Sequence, residues 1–326
     1  MNATVLCLRP EADFQRVNAL PPASLQVAYR ALGDSDIPKL MKQAQALVIP
    51  AVGPPLDLSL FDGTTVKFVQ VTGAGLDRLD LQFLKRLGIA VANIPGGSNS
   101  AVAEYAVATA GVLLRRFAWA NEEIRAGKYR EYRARMIADN LLGLDGLVIG
   151  IVGFGTIGVA VAKAFYQRGC SIIFYDPAPR DIQDAAAMNA KAVSLDELLQ
   201  TADVVTLHLP LLPSTKQLID ARRLQQMKSE AVLIQASRGG IVDEVALAEC
   251  LKAGGIAGAA VDVYSEEPPP ANHPLLTLQG DAAKRLLLTP HIAGVTRQST
   301  GFLCRSAWEN VHRVLVEKQA PLNSAF

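Results

Sequence analysis

Cysteine is scarce: four residues, Cys7, Cys170, Cys250 and Cys304, lie far apart in a chain of 326, with no C-x-x-C pair. That excludes a disulfide framework and a paired-thiolate zinc site, and it fits a reducing compartment. Charge of one sign is lacking as well. Lys and Arg number 32 against 31 Asp and Glu, a formal net charge of +1, so no overall field draws the chain to nucleic acid or to a membrane. Long apolar runs are missing. The nearest approach, "LVIGIVGFGTIGVAVA" at 147–162, falls short of the ~20 residues a bilayer helix needs. The opening "MNATVLCLRPEADF" has no basic n-region and breaks its apolar run early, so no signal peptide is read and a cytoplasmic protein is expected. Short-period repeats and low-complexity linkers are absent too. With 50% hydrophobic and 19% charged residues, the chain is globular and long enough for two domains.

Short β-type runs alternate with helical ones. "TVLCLR", "LQVAYRA", "ALVIPA", "VKFVQVTG" and "IAVANIP" read as buried strands, with "DIPKLMKQAQ" and "DLQFLKRLG" carrying apolar residues at helical spacing. Such alternation predicts a parallel sheet with crossover helices. "SAVAEYAVATAGVLLRRF" then reads as a long helix, apolar on most faces. A second series follows, with "GLVIGIVG", "CSIIFYD", "DVVTLHLP", "AVLIQAS", "IAGAAVDVY" and "RLLLTPH" as strands. The last stretch, "TRQSTGFLCRSAWENVHRVLVEK", reads as one amphipathic helix. The fold class is therefore α/β with two parallel sheets. Between the series, 115–140 is rich in Arg and aromatic residues. Glu122, Glu123 and Glu131 interrupt its positive charge, so it reads as an exposed helix or a subunit-contact arm rather than a nucleic-acid footprint.

"VIGIVGFGTIG" sets Gly153, Gly155 and Gly158 in the pattern G-x-G-x-x-G, after an apolar strand and at the opening of a helix. A second strand then ends at Asp176. This context makes a common string a dinucleotide fingerprint. Gly153 allows the tight turn, Gly155 the approach of the pyrophosphate, and Gly158 the close packing of helix on strand. Amides near Thr156 and Ile157 hold the phosphate. Asp176 is placed to accept from the adenosine ribose hydroxyls, and its charge repels a 2′-phosphate, so NAD is favoured over NADP. Arg180, nearby, would partly offset that repulsion.

Beyond this turn the chain resembles the D-isomer-specific 2-hydroxyacid dehydrogenases. The resemblance is carried by "TGAGLDRLD" (72–80), "NIPGGSNSAVAEYA", "HLPLLPSTKQLID", "QASRGGIVDEVAL", "VDVYSEEP", "NHPLL" and "TPHIAGVT" (289–296), in that order. It implies two Rossmann-like domains with the active site in the interdomain cleft. The substrate domain is expected at 1–101 with 293–326, and the NAD domain at 102–292.

Reducing a 2-keto acid requires a cation for the carboxylate, a proton donor for the carbonyl oxygen and a hydride. Arg238, in "ASRGG", offers a planar fork suited to a carboxylate at the C-terminal end of a strand. His291, in "LTPHIAG", is the expected acid–base, since imidazole titrates near ~6.5, close to neutrality. Glu267 falls on the family's D-V-[FY]-x-x-E-P pattern, and the resemblance makes it the partner that orients His291. Glu266 falls on an unspecified position and reads as solvated. The resemblance also implies that backbone amides at Ala74 and Gly75 reach the substrate carboxylate. It puts His208, Pro210, Ala236, Asp262 and Gly294 beside the cofactor. His273 reads as a bystander and His312 lies on the terminal helix. No pair of histidines has metal-ligand spacing, so no metal is expected. One departure stands out: "LQGDAAKR", between Pro268 and His291, reads as a lengthened surface loop.

The expected activity is hydride transfer between NAD and a small 2-keto or D-2-hydroxy acid, with glyoxylate or hydroxypyruvate as substrate. A homodimer is expected. The chain ends at Phe326 without an appended regulatory domain, which argues against the long form of phosphoglycerate dehydrogenase and leaves a short form open. Glu267 argues against formate oxidation, where the family pairs the His with Gln. An NAD-sensing corepressor or scaffold on the same fold also stays open, because fold does not fix function.

Overall fold

Runs of Val, Ile, Leu and Ala, mostly three to five residues long, form the strands, each buried on both faces in the sheet centres, as all-parallel pairing under crossover helices requires. The structure is a computed structural model that describes residues 3–178 and 183–326. Arg180 thus lies outside the described residues. Two units emerge, Met1–Ser98 with Val295–Phe326 and Asn99–Gly294, where the sequence reading divides the chain after 101 and 292.

The first unit holds β1 (Ala3–Cys7), β2 (Leu25–Tyr29), β3 (Ala46–Ile49), β4 (Phe68–Val71) and β5 (Ala90–Ala92), all parallel, in the order β2-β1-β3-β4-β5. Alternation along β3 and β4 sends Leu47, Ile49, Val69 and Val71 to one core and Ala46, Val48 and Phe68 to another. The second core is covered by the helix Arg297–Leu315, whose Trp308 meets Phe14 at 4.9 Å between ring centroids. That helix starts on a capping box of Thr296 and Ser299. Asn310 donates to the buried Gln70 side chain of β4 at 2.6 Å, tying helix to sheet with a satisfied polar pair.

The second unit holds β6 (Val148–Val152), β7 (Ser171–Tyr175), β8 (Lys191–Ala192), β9 (Val204–Leu207), β10 (Val232–Gln235), β11 (Gly258–Val261) and β12 (Leu286–Leu288), parallel throughout in the order β12-β11-β10-β9-β6-β7-β8. The order reverses at β6 and β9, the switch point where doubly wound sheets bind ligands. On one face, the helices Asn99–Leu114 and Thr156–Tyr166 pack through Ala103, Ala106, Ala110, Val161 and Ala162. The other face is covered by Leu198, Leu224, Leu247 and Leu251 from three further helices.

One stretch differs from expectation, and a second, read as an exposed helix or an arm, is helical. "LQGDAAKR" contains the helix Gly280–Lys284, whose Ala282 enters the core together with Leu278 just before the N-cap Gln279. The Arg-rich segment forms the helices Phe117–Arg125 and Tyr129–Ala138. There Trp119 is buried beneath Arg116, Arg135 and Lys284, which lie 4.6–5.4 Å from its ring.

Candidate active site

The glycine turn is built on close approach. Gly153 follows β6 at φ +97°, and a Cβ there would lie 2.6 Å from the His208 carbonyl oxygen at the end of β9. At Gly158 a Cβ would lie 2.0 Å from the Gly153 oxygen, so only glycine lets the helix Thr156–Tyr166 begin this close to its strand. Gly155 is the N-cap of that helix, and Thr156 and Ile157 open its first turn, where amides lack intrahelical acceptors. Asp176 follows β7. Its Oδ2 accepts from Phe154 N at 2.8 Å and its Oδ1 from Ala178 N at 2.9 Å, so the carboxylate braces the turn itself. A turn with this clearance, a helix N-terminus and an acid at the next strand end fits a dinucleotide at the switch point. His208 extends beyond β9, its Nε2 2.9 Å from Thr206 Oγ1. Its Nδ1 is sealed without a hydrogen-bond partner among the described residues, and burial pushes the imidazole down to about 3. Pro210 is exposed, and its carbonyl accepts from Thr215 Oγ1 at 2.6 Å.

Three strand ends of the same sheet carry an imidazole, a carboxylate and a guanidinium. After β12, His291 is held at φ +54°, a left-handed conformation that costs a non-glycine residue about 1–3 kcal/mol. Its amide donates to the Asp262 carbonyl at 2.8 Å. Its Nδ1 lies 2.8 Å from Glu267 Oε2, while Glu267 Oε1 accepts from Tyr264 N at 3.0 Å. Each carboxylate oxygen thus has its own task, and the backbone at Tyr264 fixes which one faces the ring. With Glu267 ionised, Nδ1 carries the proton, leaving Nε2 to exchange one with a substrate. The two side chains retain 27% and 29% of their exposure, so solvent and small molecules reach them.

Asp262, 1% exposed, spends its carboxylate on the same loop: Oδ1 accepts from Thr289 Oγ1 (2.6 Å) and Ile292 N (2.8 Å), Oδ2 from Ala293 N (2.8 Å). Sequence reasoning assigns Asp262 to the cofactor and misses this brace, which depends on β11 and β12 being neighbours. Arg238 follows β10. Buried Gln235 donates to the Arg238 carbonyl at 2.8 Å and accepts from Ser237 Oγ at 2.7 Å, clamping the turn. Gln235 was also missed; the signal was an amide ending the apolar run "AVLI". Arg238 Nη1 donates to the Ser237 carbonyl at 2.7 Å. Ala236 is half-buried beside it, and Gly294 closes the second unit. Glu266 is exposed.

His273 is 5% exposed and 3.0 Å from Glu244, a burial that the sequence reading does not foresee. Ala74 and Gly75 belong to the first unit, after β4. Ala74 is exposed and its carbonyl accepts from Asn93 Nδ2 at 2.6 Å. Among the described residues, no group of three or more His, Cys, Asp or Glu is arranged to hold a metal ion, and no helix is long and apolar enough to cross a membrane.

Residues 107–293 match the family described as "D-isomer specific 2-hydroxyacid dehydrogenase, NAD binding domain". A glyoxylate reductase of Thermofilum pendens is 35% identical over 268 residues, covering 82% of this chain and 77% of that protein. A D-3-phosphoglycerate dehydrogenase of Archaeoglobus fulgidus is 36% identical over 234 residues, 72% of this chain, but the match spans only 42% of that protein. A solved structure of a protein from Thermus thermophilus superposes with a TM-score of 0.82 at 30% identity, over 99% of this chain and 100% of that one.

Proposed function

The chain belongs to the D-isomer-specific 2-hydroxyacid dehydrogenases, and we propose on that premise that it transfers a hydride between NAD and a small 2-keto or D-2-hydroxy acid. The observation that carries the reading is the 2.8 Å contact between His291 Nδ1 and Glu267 Oε2. A carboxylate there accepts from Nδ1–H and leaves Nε2 facing the substrate. Nε2–H then donates to the carbonyl oxygen during reduction, and neutral Nε2 accepts that proton during oxidation. Arg238 holds the substrate carboxylate with its fork, helped by the amides of Ala74 and Gly75. NAD, when bound, supplies or takes the hydride. Gly153, Gly155, Thr156, Ile157, Gly158 and Asp176 hold it, with His208, Pro210, Ala236 and Gly294 beside it and Asp262 acting from behind as the brace of the His291 loop. The negative charge of Asp176 favours NAD over NADP.

Glyoxylate or hydroxypyruvate is the proposed substrate. Support comes from the small residues of "TGAG" and from the name of the Thermofilum relative, whose length this chain largely spans. A cytoplasmic homodimer belongs to the same proposal; Phe117, Ile124, Tyr129 and Ile137 on the two arm helices are exposed apolar side chains that a second copy would cover.

The test is loss of dihydronicotinamide absorbance with glyoxylate, hydroxypyruvate, pyruvate and 3-phosphohydroxypyruvate. Turnover is expected to be fastest with one of the first two, and faster with NADH than with NADPH. His291→Ala should cost about 100-fold or more in kcat while NADH binding persists. Tight NADH binding with no turnover on any of the four acids would instead support a sensing role.

A further inference from the structure

We propose that Glu244 is a positioning residue for the Glu267–His291 pair and for Arg238, acting through the backbone at Ser265. The inference rests on the roles proposed above for those three residues. Glu244 opens the helix Glu244–Ala253, behind the N-cap Asp243, yet its carboxylate is turned inward and only 11% exposed. Its Oε1 accepts from Ser265 N at 2.7 Å, and its Oε2 accepts from Ser265 Oγ at 2.5 Å. His273 completes the set from the other side, its Nε2 3.0 Å from Oε2. The His273 tautomer follows from its neighbours. Nδ1 accepts from Leu275 N at 3.3 Å, so the ring proton sits on Nε2 and points at Glu244.

The backbone held in this way lies between the groups that do the chemistry. Two residues beyond Ser265 is Glu267, and one residue before it is Tyr264, whose amide fixes Glu267 Oε1. Tyr264 is itself wedged, edge-on to His273 with ring centroids 5.8 Å apart, its hydroxyl donating to the Thr289 carbonyl at 3.0 Å. On the other flank the loop presses against the turn that carries Arg238. A Cβ on Gly239 would lie 1.8 Å from the Tyr264 carbonyl oxygen and 2.5 Å from Ser265 N. One carboxylate therefore sets the height of a loop that presents Glu267 to His291 and abuts Arg238. A surface acid capping its own helix would have no need of a buried histidine and a distant serine.

Displacement of a catalytic group by about 1 Å can cost on the order of 100-fold in rate. Glu244→Ala should therefore lower kcat about 10- to 100-fold, with the dissociation constant for NADH, read by fluorescence, within about twofold of wild type. Glu244→Gln keeps an acceptor for Ser265 N and should fall between the two; it also serves if the alanine variant does not fold. The deciding measurement is a double-mutant cycle with Glu267→Ala, using whichever of glyoxylate and hydroxypyruvate the wild type reduces faster. If Glu244 acts through Glu267, adding Glu244→Ala to Glu267→Ala should cost less than about threefold more. A kcat for Glu244→Ala within twofold of wild type, or losses that multiply in full in the double variant, would overturn the proposal. If Glu267→Ala alone left turnover intact, the acid–base reading would fail first, and that outcome is separate from the other two.

Discussion

Asp176 shows how much one side chain can be asked to do. Its two oxygens already accept from Phe154 N and Ala178 N, so it shapes the glycine turn in addition to the ribose contact proposed for it. Hydrogen bonds to a charged group contribute about 1.5–3 kcal/mol, and each 1.4 kcal/mol is tenfold in affinity. Asp176→Ala should thus weaken NADH binding about tenfold or more and bring the NADH-to-NADPH ratio toward one; unaltered NADH affinity would show that the turn stands without its brace. His208 makes a prediction of the opposite kind, about pH. Burial holds its folded value at about 3, below the ~6.5 of an unfolded chain. The unfolded state therefore binds the extra proton as pH falls below ~6.5, and stability present above that value is lost on the way toward 3. The loss approaches about 1.4 kcal/mol per pH unit, or roughly 2 kcal/mol at pH 5. Urea unfolding of wild type and His208→Gln at pH 7 and pH 5 should show the variant losing less; equal losses would mean that the ring is hydrated in the fold. At this scale the sequence was legible where chemistry and motif coincide. His291, Glu267 and Arg238 stand in ordered motifs, whereas the braces Asp262 and Glu244 act on residues 21 to 31 positions away that no local pattern reveals; Gln235 acts within its own turn, where its one local signal was a polar end to an apolar run.

At the scale of elements, the strand–turn–helix unit from β6 to Tyr166 shows why the pattern G-x-G-x-x-G carries so much. The clearance at Gly158 is set by backbone, with the Gly153 carbonyl oxygen 2.0 Å from where a Cβ would be, so no side chain can move aside. Gly158→Ala must push the helix start away from the strand. Overpacking of this kind costs about 1–3 kcal/mol, and each kcal/mol lowers the melting temperature of a domain of this size by about 2–4 °C. The same shift displaces the amides of Thr156 and Ile157, so a lower melting point and weaker NADH binding should appear together in thermal melts and fluorescence titrations. A variant that melted and bound like wild type would mean that the helix tolerates the displacement. Elements with a strong apolar pattern were legible: β6, β9 and β10 match the runs "VIGIV", "VVTL" and "VLIQ". β8 was not, because Lys191 and Ala192 are two exposed residues with no apolar signal. Nor was the helix in "LQGDAAKR", since five residues with Ala282 as the one buried position leave no helical period to read.

Over the whole molecule, alternating strands and helices announced two parallel sheets, but not their strand orders. Alternation sets direction; neighbour choice depends on which face each right-handed crossover covers, and that is decided by packing. The first sheet takes the order β2-β1-β3-β4-β5, the flavodoxin-like arrangement, while the second spreads to both sides of β6. Each unit has cores of its own, and only the second carries the glycine turn. A ligand held by that turn stabilises the unit that carries it, by about 2.7 kcal/mol at 100 times its dissociation constant. Amide hydrogen exchange should therefore slow by up to about 100-fold in the deep strands β6, β9 and β10 when NADH is present at that level. The strands β1, β3 and β4 should exchange at nearly their former rates, because they make no part of the turn. Protection rising equally in both sheets would mean that the glycine turn alone does not account for the stabilisation.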